Sequence, residues 1–162
     1  MYQPFETMPD SARVWVYQSN RKFTQEEIDL IESRLTVFCD EWNTHGSLMP
    51  TSFDIKYNQF IILSVDESKL GTSGCSIDSS VRVLGELDQV LNVNLLDQGK
   101  ISFLNKDEIT ISSLGEIKDF IQSGELTSST KIFNPVIQKK EDLDSKWLIP
   151  ASESWLNRYF NN

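Results

Sequence analysis

Histidine occurs once in these 162 residues, as His45, and cysteine twice, as Cys39 and Cys75. That scarcity excludes a disulfide framework, a CxxC redox pair and the ligand spacings of a structural zinc site. A metal site can be drawn on paper from His45, Asp66, Glu67 and Asp78. A lone histidine among loop carboxylates reads as solvated surface, so neither a metal nor a cofactor is expected. Basic residues are also short, 15 against 24 acidic, for a formal net charge of −9. Such a chain repels phosphate backbones and anionic membrane surfaces, and no basic stripe offsets it, so nucleic acid is not an expected partner. No apolar run approaches the ~18 residues of a membrane span. The opening Met1-Tyr-Gln-Pro-Phe-Glu lacks the basic and apolar regions of an export signal, so a cytoplasmic protein with thiols kept reduced is expected.

What the chain has is apolar residues in ordinary proportion, 39%, and a length suited to one domain with a sizeable core. Ala12 to Tyr17 reads as a strand of β-branched and aromatic residues. Thr24 and Glu27 form a capping box, Phe23 and Ile28 a hydrophobic staple, and Ile28, Ile31, Leu35, Phe38 and Trp42 continue one helical face, with Gly46 as its stop. Phe53, Ile55 and Tyr57 alternate with polar residues as an edge strand does. The reversed run Gln59 to Val65 is apolar nearly throughout, as a central strand should be. Ile77, Val81, Leu84, Leu87 and Leu91 mark a second helix, and Lys100 to Leu104 a fourth strand.

The order βαββαβ predicts an α+β protein with a ferredoxin-like core over 1–105 and a C-terminal extension over 106–162, the two forming part of one compact unit. The usual sheet order, 4-1-3-2, puts strands one and three at the centre, where the continuous apolar runs are. Both helices then cover one face. The other face needs a cover, for which the extension is the obvious candidate and a homodimer partner the alternative. In the extension, Ile109 and Ile111 suggest a strand, Ser113 with Glu116 a second capping box, 138–146 a charged loop, and Ser152 onward a short helix.

That topology brings the end of helix one, the end of strand three and the start of helix two to one sheet edge. Trp42 and His45 therefore approach Asp66, Glu67 and the loop Ser73 to Asp78, with Arg13 and Lys106 on the same edge. Three readings of the edge stand side by side. Cys75 is a nucleophile near a helix start, with His45 as base and Asp78 or Asp66 as orienter. Alternatively Gly71 to Ser80 cradles a small anion, with Arg13 as counter-charge and Trp42, Asp66, Ser73, Gly74 and Ser76 around it. In the plainest reading Cys75 is packing, Ser76 or Asp78 is an N-cap and the glycines permit the turn. The loop is not a P-loop, because Lys69 precedes the first glycine and Gly71 and Gly74 stand too close together. A non-enzymatic module binding a small ligand or a protein partner is the leading expectation, and a thiol-dependent enzyme the runner-up.

The phrases Met8-Pro-Asp-Ser-Ala-Arg13-Val-Trp-Val-Tyr17, Tyr57-Asn-Gln-Phe60 and Ser73-Gly-Cys-Ser-Ile-Asp-Ser-Ser80 resemble an uncharacterised family of short Bacteroidetes proteins. Members often carry the label "ABC transporter ATPase". This sequence contradicts that label, having no Walker A lysine loop and no Leu-Ser-Gly-Gly-Gln signature. The resemblance implies a cytoplasmic bacterial protein and no particular activity. Within the extension, Gly124-x-Leu126-x-x-x-Thr130 followed by Trp147-x-x-Pro150-Ala151 resembles the small GYF-type domain pattern.

Overall fold

The computed structural model describes residues 1–160 and is mixed α+β, these residues dividing into two compact units, 1–97 with 138–141, and 98–137 with 142–160. In the first unit, β1 (Arg13–Gln18) leads to α1 (Gln25–Glu41), which begins where the sequence marks it. The Thr24 hydroxyl accepts from the Glu27 N–H, and Glu27 answers on the Thr24 N–H. Phe23 is buried and Ile28 packs on the same core, as a staple requires.

A short hairpin follows, β2 (Asn43–Thr44) and β3 (Ser47–Leu48), and then β4 (Thr51–Lys56), β5 (Phe60–Val65) and α2 (Gly74–Leu91). Gly46 thus does not stop the helix. His45 and Gly46, with φ of 51° and 83°, form the two-residue turn of β2–β3, and only left-handed residues match the twist of so tight a hairpin. The first sheet runs β1-β5-β4, with both neighbouring pairs antiparallel. β5 is central and buried at every position. Ile31, Leu35, Trp42, Ile61, Leu63, Leu84 and Leu87 belong to the core on one side of it.

The expected fourth strand forms, as β6 (Ile101–Asn105), but it does not join this sheet. It turns at once through Lys106 and Asp107, both with positive φ, into β7 (Glu108–Ser112). Pairing across two residues costs far less chain entropy than pairing with distant β1. Beside β1 it is the later segment 138–140 that bonds, through Val14 N–H to the Gln138 carbonyl at 2.9 Å and Lys140 N–H to the Ala12 carbonyl at 2.8 Å.

The second unit continues with α3 (Ile117–Ser123) and β8 (Lys131–Phe133). After α4 (Lys140–Ser145), where the sequence suggests only a charged loop, comes β9 (Leu148–Pro150). Its sheet runs β7-β6-β8-β9, and two 3₁₀ turns, Ala151–Glu153 and Trp155–Tyr159, stand where a single last helix is expected. Phe103, Ile117, Leu126, Ile132, Ala151 and Leu156 form its own core. The GYF-like residues serve this folding. Gly124 ends α3 in the left-handed region, Leu126 is 1% exposed, and the Trp147 ring meets Phe133 edge-on at 5.1 Å. No helix of the described residues is long and apolar enough to cross a membrane.

Candidate functional site

α2 starts one turn earlier than the apolar periodicity shows, and hydroxyl chemistry is the cause. Ser73, rather than Ser76 or Asp78, is the N-cap. Its side chain accepts from the Ser76 N–H at 3.1 Å, and the Ser76 hydroxyl accepts from the Ser73 N–H at 2.6 Å. This reciprocal pair satisfies two of the helix's orphan donors. Ser76 is buried, and it ties the helix start to the preceding hairpin: Thr44 Oγ1 lies 3.1 Å from Ser76 Oγ, and the Ser73 N–H also donates to Thr44 at 3.3 Å. The Trp42 indole N–H donates to the Ser76 carbonyl at 2.8 Å, giving a buried polar tip the partner it requires.

These bonds hold the end of α1, the β2–β3 hairpin and the first turn of α2 around a cleft of about 230 Å³. One wall is aromatic, Phe38 with Trp42 at 4.9 Å between ring centroids. The rest carries His45, Ser73, Cys75 and Ser79, with Glu41 as the one carboxylate and no lysine or arginine. His45 and Cys75, far apart in sequence, thus line one cleft as expected. Both are exposed, and neither side chain makes a hydrogen bond among the described residues. Cys39, on the neighbouring helix, is fully buried, and burial pushes its thiol up to about 12.

Other residues expected here lie elsewhere. Asp78 is exposed and outside the lining, turned about 100° around α2 from Ser79. The Asp66 carboxylate closes its own loop by accepting from the Ser68 N–H at 3.0 Å. Arg13 reaches Thr72 at 3.2 Å and Glu67 at 3.7 Å and lies over the Trp15 ring. Glu67 accepts from both the N–H and the hydroxyl of Thr72 at 2.7 Å. Arg13 is therefore a strut of the 67–72 loop with its charge already countered. Lys106 belongs to the β6–β7 turn of the second unit. Gly74 begins α2 with open space where a Cβ would stand. No group of three or more potential metal ligands is found among the described residues.

Sequence reasoning missed Thr44, Phe38 and Glu41, and took Ser79 only as part of the Gly71 to Ser80 loop. Ser79 was within reach of it, since it follows Cys75 by four residues on a helix and donates to its carbonyl at 2.9 Å. No family model, no curated protein and no solved structure matches the chain.

Proposed function

We propose that the protein is a non-enzymatic binding module whose ligand, a small molecule or the side chain of a partner, enters the cleft between the β2–β3 hairpin and the start of α2. The carrying observation is the pairing of an aromatic wall with a thiol, an imidazole and hydroxyls in one recess of ligand-fragment size. An uncharged polar ligand suits it better than an anion. The Ser73 and Ser76 amides are committed to the cap, Arg13 is tied to Glu67, and Glu41 adds negative charge.

The shared cleft of His45 and Cys75 favours one other reading, a thiol-dependent enzyme. Against it, His45 has no hydrogen bond among the described residues to fix its tautomer, and neither Asp66 nor Asp78 lines the cleft. Hydrolysis of p-nitrophenyl acetate separates the two. A binding module gives the same near-background rate for the native chain and Cys75→Ser. A Cys75-dependent turnover that also falls in His45→Ala supports the enzyme instead.

Two finer readings accompany this one. The 1-3-2 antiparallel order, with both helices feeding one core and segment 138–140 beside β1, supports a ferredoxin-like arrangement whose fourth position is filled from later in the chain. The two free thiols and the Bacteroidetes resemblance support a cytoplasmic bacterial protein. Burial of Val14, Phe60 and Ile62 argues against a homodimer through the second face of the first sheet.

A further inference from the structure

β4 is an edge strand whose outer side is only half used. Antiparallel partners alternate, so Ser52, Asp54 and Lys56 aim their backbone groups at β5, while Thr51, Phe53 and Ile55 aim theirs away. Thr51 confirms the parity, since its N–H donates to the Met1 carbonyl at 3.0 Å and its carbonyl accepts from the Gln3 N–H at 2.9 Å. The segment Met1–Gln3 thus lies on the edge through a single parallel bridge, Tyr2 beside Thr51. It leaves at Pro4, which has no N–H to give, and enters a 3₁₀ turn, Phe5–Thr7.

Beyond that point the Phe53 N–H and the Ile55 carbonyl have no hydrogen-bond partner among the described residues, while the Ile55 N–H is taken by its neighbour Asp54 at 2.8 Å. The free groups border a groove of about 370 Å³ lined by Tyr2, Phe5, Glu6, Glu32, Phe53 and Asp54. Natural edges are commonly guarded by lysines. Here Lys56 is held by Asp54 at 3.1 Å, whereas Glu6 and Glu32 enter no ion pair among the described residues. The groove's character shows in Tyr2, whose phenol is raised above its ordinary range by burial and then by Cys39, Glu6, Glu32 and Asp54.

We infer that this groove is a docking site for an extended basic segment of a partner protein, which continues the edge pairing begun by Met1–Gln3. A carbonyl of that segment accepts from the Phe53 N–H, an N–H of it donates to the Ile55 carbonyl, and its lysines or arginines meet Glu6 and Glu32. Charge complementarity selects this occupant over a second copy. Two copies would set Glu6, Glu32 and Asp54 against their own likenesses in a chain of net charge −9.

The test uses the full chain, ¹⁵N-labelled, with a fluorescein-tagged peptide alternating lysine and valine, a glutamate–valine twin, and a lysine–valine twin N-methylated along one backbone edge. The basic peptide is expected to shift the Phe53 and Ile55 amides while leaving those of Ser73 to Ser79 in place. N-methylation should weaken it about tenfold or more, through lost main-chain hydrogen bonds. The double variant Glu6→Gln, Glu32→Gln, with its melting temperature checked against the native chain, should weaken it roughly three- to tenfold, an effect that fades in high salt. Unmoved Phe53 and Ile55 amides at peptide excess would overturn the inference. So would equal affinity for the acidic twin, or a dimer whose Phe53 amide is already protected from exchange without peptide.

Discussion

Cys39 and Cys75 are the same chemical group in opposite settings. Cys39 is fully buried and its thiolate is disfavoured by desolvation, whereas Cys75 stands exposed at the second position of α2. Iodoacetamide at pH 8 should therefore label the native chain at Cys75 alone, and Cys39 only after unfolding, as peptide mass analysis would read. Glu27 offers a second residue-scale test. Its carboxylate takes two hydrogen bonds of 2.7 Å from Arg21 and one from the Thr24 N–H, which hold it at about 2, well below its usual range. A lowered folded value means stability present above the unfolded pKa and lost as pH falls through about 2. Arg21 is half exposed, which screens the pair. Glu27→Gln should thus cost about 1 kcal/mol at pH 7 by urea unfolding, and the gap to the native chain should narrow as pH drops from about 4 towards 2.

At the scale of elements, the hairpin of Asn43 to Leu48 is the least legible part and the most consequential. His45-Gly46 is not among the dipeptides that announce a two-residue turn, and Gly46 four residues past an apolar face reads equally well as a helix stop. Gly46→Ala should cost about 1 kcal/mol in thermal or urea unfolding, because its φ of 83° penalises any Cβ although the space beside it is open. The start of α1 was fully legible, because capping box and staple are local and reciprocal. The start of α2 was not. A serine reciprocated by a serine lacks the long acidic partner of the usual box, and the buried Thr44 that completes it is distant in sequence. The meeting of His45 and Cys75 was legible, since it needed only the order of elements and the edge at which each ends.

For the whole molecule, the order of elements led to an α+β chain, which is what forms. The partition into sheets was beyond it, since a strand signal of five residues specifies a strand and not its partner. Ile101–Asn105 pairs locally with Glu108–Ser112, and a core of its own, around Phe103, grows there. The proposed function rests on recesses of the surface. Of these, the cleft beside Cys75 is the centre of the functional account. The most direct measurement is a ¹⁵N-resolved titration of the native chain and Cys75→Ala with a library of small, uncharged aromatic–polar fragments. The account predicts fragments that shift the Trp42 indole N–H and the Ser73 to Ser79 amides in both proteins. Shifts confined to other surfaces, or cleft binding that vanishes entirely with the Cys75 thiol, would contradict it.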